Sequence, residues 1–364
     1  MEDQKYMALA LELAKKGAGW CAPNPKVGAV IVKENRIIGR GWHEKYGSLH
    51  AERNALQNCT EDPAGSTIYV TLEPCCHHGH QPPCVEAIIE AGISRVVIGS
   101  SDPNPLVAGK GVEILRNHGI SVTEGVLKEE CDRLNDVFFH YITTNRPFVA
   151  LKWAMTLDGK IAASTGDSKW VTGEAARNHV HTLRNRYRAI LVGVNTVLAD
   201  DPLLTCRMEG GRNPLRIVCD SHLRTPLDCQ LVRTAREVPT LIATCQEKGW
   251  EPYLAAGCHL LACPGEDGRV NPDALLTALG AQGIDSVLVE GGGQIHWAFL
   301  KAGLVNKTYT YIAPKLLGGT KTPIGGVGFP KVSQALSLGK PRVTALGDDI
   351  LLESEEIPDV HGNY

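Results

Sequence analysis

The sequence predicts two α/β domains in succession, and three observations carry that reading. Its 364 residues exceed what one hydrophobic core usually organises. Short β-like runs alternate with helix-like segments along both halves, the pattern of layered α/β domains. The alternation is interrupted by the polar, proline-bearing stretch Thr143-Thr144-Asn145-Arg146-Pro147. Such a stretch breaks regular structure, so the boundary is placed there, giving domains 1–145 and 146–364.

In the first half, Tyr6, Leu9, Ala10, Leu13 and Ala14 recur at helical spacing, which predicts a helix over 6–18, weakened by Gly17 and Gly19. Strands are expected at 27–32, around Ile37 and Ile38, at 67–72 and at 95–99. Helices are expected at 50–58, 85–91, 111–118 and 129–141. In the second half, strands are expected at 148–153, 189–193, 215–219, 240–244 and 286–289. Helices are expected at 174–185, 272–279 and 294–301. No internal repeat or low-complexity block is visible, and a frayed tail is expected from about Pro358.

Composition bounds the class. Apolar residues make up 43% and charged residues 21%, ordinary for a globular protein in water. Lys plus Arg is 37 against 40 for Asp plus Glu, so no basic excess supports a large nucleic-acid footprint. No signal peptide is visible, and no apolar run approaches the ~18 residues of a membrane span. The 12 cysteines read as reduced thiols and metal ligands, which points to the cytoplasm.

The strongest chemical signal is His50-Ala51-Glu52, followed by Pro74-Cys75 and then Cys84. Zinc takes N and S ligands, and a catalytic site keeps one position for water. One His and two Cys supply three ligands. A carboxylate that is not a ligand, here Glu52, can then move the water proton to a leaving amine. This His-x-Glu and Pro-Cys pattern is that of zinc nucleobase deaminases, although Cys75 and Cys84 stand nine apart rather than three. The loop between them offers other donors. Cys76 can replace Cys75, and His77, His78 and His80 can each bind metal. A purely structural zinc would leave Glu52 without a use. His43 reads as a polar or substrate-facing residue, and Asn24, between two prolines, as a turn or a grip on a pyrimidine edge.

In the second half, Val289-Glu290-Gly291-Gly292-Gly293 joins a strand to a helix, where backbone can approach a phosphate-bearing ligand. Gly193-Val194-Asn195-Thr196 has the same strand-then-turn form. Asp200-Asp201-Pro202 reads as a turn or cap. Arg184 and Arg207 are candidates for a phosphate clamp, because the guanidinium fork matches phosphate oxygens.

The order of these motifs resembles one family along nearly the whole chain. Pro23-Asn24-Pro25, His50-Ala51-Glu52, Glu73-Pro74-Cys75 through Cys84, and Asp102-Pro103-Asn104-Pro105 are similar to the bifunctional riboflavin-biosynthesis deaminase/reductases, as are the segments 152–160, 166–170, 193–201 and 289–292. The resemblance implies a cytidine-deaminase-like α/β/α layered domain followed by a dihydrofolate-reductase-like α/β domain. It implies zinc on His50, Cys75 and Cys84, with Glu52 as proton shuttle. It implies deamination of 2,5-diamino-6-ribosylamino-4(3H)-pyrimidinone 5′-phosphate, with Asn24, His43, His80 and Asn104 at the substrate. It then implies NADPH-dependent reduction of the ribosyl group of the product to ribityl. NADPH contacts fall on Ala154, Trp170, Thr196, Asp200, Ser221, Gly292 and Gly293. Reductase substrate contacts fall on Lys152, Ser168, Arg184, Leu204, Arg207 and Glu290. It implies a small phosphorylated pyrimidine as partner, and a homo-oligomer, dimer or tetramer. Two positions depart from the family: Cys76 stands where Ser is common, and His80 where Lys or Arg is usual. The rival readings are an RNA adenosine deaminase, which leaves residues 148–357 without a role, and a zinc-stabilised nucleotide-binding scaffold.

Overall fold

The computed structural model describes residues 2–78 and 81–355. The chain forms two compact units, Met1–Asn145 and Arg146–Tyr364. In chain order the first unit comprises α1 (Glu2–Lys15), β1 (Gly28–Lys33), β2 (Arg36–Trp42), α2 (Ala51–Gln57), β3 (Thr67–Leu72), α3 (Cys84–Glu90), β4 (Arg95–Ser100), α4 (Lys110–Asn117), β5 (Ser121–Thr123), α5 (Lys128–Leu134) and α6 (Asp136–Thr144). Its strands form one sheet in the order β2-β1-β3-β4-β5. β1 runs antiparallel to β2 and β3, and β3, β4 and β5 are parallel.

Local sequence explains how this unit is built. Glu34 and Asn35 both take positive φ, 49° and 64°, the turn conformation that suits the twist of the β1–β2 hairpin. Side chains alternate across the sheet, so Ala29 and Ile31 enter one apolar cluster while Val30 and Val32 enter the other. α2 lies directly on β2. A Cβ at Gly39 would stand 2.5 Å from Ala55 O, and one at Gly41 would stand 2.4 Å from Ala51 O. Only glycine permits that approach, and it seats the helix that begins beside His50.

The helix expected over 129–141 is two helices. Asn135, 1% exposed, sits at the break between α5 and α6. Its side chain accepts from Lys26 N at 2.9 Å and donates to Lys26 O at 3.0 Å. Meeting one distant backbone residue on both sides turns the chain there, which periodicity does not reveal.

The second unit comprises β6 (Phe148–Thr156), α7 (Glu174–Arg186), β7 (Ala189–Gly193), α8 (Val194–Asp200), β8 (Leu215–Cys219), α9 (Gln230–Arg233), β9 (Thr240–Thr244), α10 (Glu251–Ala256), β10 (His259–Ala262), α11 (Pro272–Ala281), β11 (Ser286–Val289), α12 (Gly293–Lys301), β12 (Lys307–Ala313), β13 (Arg342–Leu346) and β14 (Asp349–Glu355), with a 3-10 turn at Val332–Gln334. One sheet runs β10-β9-β8-β7-β11-β6-β12-β14-β13. It is parallel from β10 to β12 and antiparallel from β12 to β13. Ala189 and Leu191 join the apolar cluster on one face, Ile190 and Val192 that on the other. Both faces are covered, as in a doubly wound sheet. The turn expected at Asn195 and Thr196 is instead the start of α8, and β12 to β14 were not expected at all. No described helix is long and apolar enough to cross a membrane.

Asn135→Ala removes both bonds to Lys26 and leaves that backbone unpaired. A loss of about 1–3 kcal/mol is expected, measured as a fall in the unfolding midpoint of the first unit. An unchanged midpoint would show that the clamp adds nothing.

Candidate functional site

Three elements of the first unit converge on one point. His50 flanks α2 in extended conformation, φ −72° and ψ 162°. Cys75 follows β3, and Cys84 opens α3. Donor atoms of His50, Cys75 and Cys84 all lie within 4.8 Å of one another. His50 Nδ1 stands 3.5 Å from Cys75 Sγ and 3.3 Å from Cys84 Sγ. The nine-residue spacing closes because Cys84 N donates back to Cys75 O at 3.0 Å and to Cys75 Sγ at 3.4 Å. Cys76 points elsewhere, its thiol donating to Leu106 O at 3.6 Å. His78 is exposed beside Glu86, 3.7 Å away. His80 lies outside the described residues. Among the described residues, no other group of three His, Cys or carboxylate donors meets this closeness. One nitrogen and two sulfurs fit zinc, with a fourth position left for water. Hydrogen bonding from Cys84, and then from His50, pulls the Cys75 thiol down to about 4. The bond to Cys75 and burial push Cys84 up.

Glu52, 4% exposed, stands in the first turn of α2 beside this cluster. Burial and then the Cys75 charge push its carboxyl up. Glu52 and His50 line a cavity of about 300 Å³ together with Asn24, His43 and Asn104. His43 donates through Nδ1–H to Leu49 O at 3.0 Å, so its Nε2 accepts from Asn24 Nδ2 at 3.3 Å. That leaves the Asn24 amide oxygen as an acceptor for a ligand. Burial pulls the His43 pKa down, which keeps the ring neutral.

Three residues of this cavity had no assigned role in the sequence reading. His77 lines it with a buried, unpartnered Nδ1. Asp102, pushed up to about 6 by burial, accepts from Asn104 N at 2.8 Å. Glu73 accepts from the backbone of Gly109 and Gly111 at 3.1 Å each, and from Asp102 and Val112 at 3.4 Å. The motifs containing Glu73 and Asp102 were visible in the sequence; the distance between them in the chain hid their partnership.

The second unit holds two neighbouring cavities, both lined by Ile161. The larger, about 660 Å³, lies at the C-terminal ends of β7, β8 and β11 and is lined by Thr196, Ser221, Gly292 and Gly293. The smaller, about 290 Å³, is lined by Lys152, Ala154, Ser168, Trp170, Arg184, Asp200, Arg207 and Glu290. Residues read as cofactor contacts thus divide: Ala154, Trp170 and Asp200 sit with the residues read as substrate contacts.

Glu290 organises the smaller cavity. Arg184 donates to its two oxygens at 2.9 and 3.0 Å, and Lys152 Nζ is 3.7 Å away. Burial opposes ionisation of Glu290, yet the Arg184 and Lys152 charges outweigh it and hold the carboxyl down to about 2. Burial pulls Lys152 down in turn. Arg184 also donates to Thr205 O at 3.1 Å, so much of its fork is engaged within the protein. Arg207, exposed, reaches His181 Nε2 at 3.2 Å. The Trp170 ring stacks under the Arg177 guanidinium at 4.6 Å.

Two expectations change. Leu204 lines none of these three cavities; its side chain, 4% exposed, packs in the core, with φ 53°. Of the three turn glycines, only Gly292 would point a Cβ into open space. A Cβ at Gly291 would meet Ile295 Cγ2 at 1.9 Å, and one at Gly293 would meet Gly325 N at 2.7 Å. Those two glycines serve internal packing rather than ligand approach.

Residues 1–100 match the cytidine and deoxycytidylate deaminase zinc-binding region, and residues 147–352 match the RibD C-terminal domain. The chain is 55% identical to the riboflavin biosynthesis protein RibD of Actinobacillus pleuropneumoniae, over 97% of this chain and 95% of that protein. It is 40% identical to RibD of Escherichia coli, over 97% and 99%. Its structure is similar to Acinetobacter baumannii RibD, with TM-score 0.85 and 38% identity, covering 98% of this chain and 99% of that one. It is also similar to a diaminohydroxyphosphoribosylaminopyrimidine deaminase/5-amino-6-(5-phosphoribosylamino)uracil reductase of Thermotoga maritima, with TM-score 0.86, 40% identity and the same coverage. A zinc-type donor cluster in one unit, a nucleotide-sized cavity in the other, and relatives matched from end to end lead to one conclusion: the chain belongs to the RibD family of bifunctional deaminase/reductases of riboflavin biosynthesis.

Proposed function

We propose that the first unit hydrolyses the 2-amino group from 2,5-diamino-6-ribosylamino-4(3H)-pyrimidinone 5′-phosphate, and that the second reduces the ribosyl group of 5-amino-6-(5-phosphoribosylamino)uracil with NADPH. The observation that carries the reading is a buried carboxylate, Glu52, beside a three-donor cluster that leaves a coordination position open. His50, Cys75 and Cys84 hold zinc, which supplies Lewis acidity that makes water nucleophilic near neutral pH. Glu52 takes a proton from the attacking water and delivers it to the departing amine, which leaves as ammonia. Asn24, oriented by neutral His43, and Asn104 hold the pyrimidine.

In the second unit the cofactor supplies hydride to C1′. As the C1′–O4′ bond breaks, O4′ needs a proton, and Lys152 is the buried donor nearest Glu290 in that cavity. Arg207 and Ser168 meet the 5′-phosphate, with Arg184 fixing Glu290 against the ribose hydroxyls. Thr196, Ser221 and Gly292 line the dinucleotide's path. Exposed apolar side chains such as Val327 and Val332, 97% and 93% exposed, support a homo-oligomer. Twelve unpaired cysteines support a reducing compartment, the cytoplasm. An RNA deaminase or a non-enzymatic scaffold leaves the second unit's cavities unexplained.

Elemental analysis of purified variants tests the ligand set. Cys84→Ser is expected to lose zinc and Cys76→Ser to keep one ion per chain; the reverse pattern would overturn the assignment. Glu52→Gln is expected to keep zinc while ammonia release falls at least ~100-fold, with NADPH oxidation on the deaminated substrate retained. Normal ammonia release would remove Glu52 from the mechanism. Arg207→Ala is expected to raise the reductase KM for the phosphorylated substrate about 10-fold or more and to spare deamination. A parallel loss of both activities in a folded variant would refute two separate sites.

A further inference from the structure

The larger cavity of the second unit carries charge that the reaction itself does not use. The reacting ring of a dinucleotide must lie where this cavity meets the smaller one, beside Ile161 and the turn at Gly291 and Gly292. From there the sheet runs from β6 through β11 and β7 to β8. Those three steps span about 14 Å at the usual strand spacing. All four strands are parallel, so their C-terminal ends open on the same side. The adenosine half therefore falls beyond the end of β8, at residues 221–224. In doubly wound nucleotide sites that place holds an acid where the ribose 2′-hydroxyl is free, and an arginine where it carries phosphate.

Here no described residue lining the cavity is acidic, while Arg224 and Arg269 both line it. The two sit on segments that are tied together. Ser221 Oγ accepts from Val270 N at 3.1 Å, joining the turn before α11 to the end of β8. Arg224 Nη2 donates to Asn195 Oδ1 at 3.0 Å, joining the same stretch to α8. No ion pair of the described residues uses either guanidinium. Two arginines without carboxylate partners, held at one end of a cavity without acids, match a dianionic phosphate and offer nothing to a bare hydroxyl. We propose that Arg224 and Arg269 clamp the ribose 2′-phosphate of the cofactor, and so select NADPH over NADH.

The inference rests on the reading of this cavity as the dinucleotide site, and calorimetric titration of the zinc-loaded full chain without pyrimidine substrate separates the two. Wild type is expected to bind NADPH more tightly than NADH. Arg224→Gln and Arg269→Gln should each raise the NADPH Kd about 10–100-fold, with the NADH Kd moving less than about 2-fold. Adenosine 2′,5′-bisphosphate should compete with NADPH on wild type and fail on the double variant. Unfolding midpoints check that each variant is folded; because the arginines stand on different segments, either variant alone suffices. An unchanged NADPH Kd in both variants, or equal weakening of both cofactors, would overturn the clamp. Equal affinity of wild type for the two cofactors would overturn the NADPH reading and the clamp with it.

Discussion

The charge on Glu290 is the constraint around which the second unit is organised. It follows β11, the strand between β7 and β6, and is fully enclosed by them and by α7. A carboxylate at that depth is stable only if cations reach it. Arg184 does so from α7 and Lys152 from β6. The helix must therefore present one face to the strand ends, and β6 must keep the register that sets Leu151 beside Val289. Through Thr205 O, Arg184 also fixes the segment that carries Arg207. Sheet register, helix placement and the reacting end of the cavity thus follow from one buried ion group.

The first unit contains two buried carboxylates with opposite uses. Glu73 is satisfied by the backbone N–H groups of one loop, so it acts as a structural anchor. Glu52 has no comparable set of backbone donors; it faces the cavity and the cysteines. Burial alone does not distinguish a catalytic acid from an anchor. The number and kind of donors around it do.

Much of the architecture was legible in the chain. β3, β7, β8, β9 and β11 begin and end where their apolar runs do. Each run is short, rich in β-branched residues and closed by a polar or glycine position. The elements that were not legible are those whose pattern is set by distant partners. β12, Lys-Thr-Tyr-Thr-Tyr-Ile-Ala, buries Lys307, Thr308 and Thr310, so its polarity conceals a central strand. The break at Asn135 depends on Lys26, more than a hundred positions away. The donor set was legible as residue types, while the choice between Cys75 and Cys76 needed the return of Cys84 N onto Cys75 O. The arginines beyond β8 carry no motif, and only the cavity relates them to each other.

The anchoring of the 102–112 segment by Glu73 has a consequence for how this enzyme can diversify. Most of this segment is irregular, and irregular surface segments normally tolerate insertions and exchange their amides freely. Here both oxygens of one buried side chain hold its two ends, at Asp102 and at Gly109 to Val112. Its length is thereby fixed like that of a clasp. Added residues can be accommodated only at the tip around Leu106, which is 60% exposed. Variation in what this wall of the pocket recognises must come by exchanging side chains on a backbone of constant length.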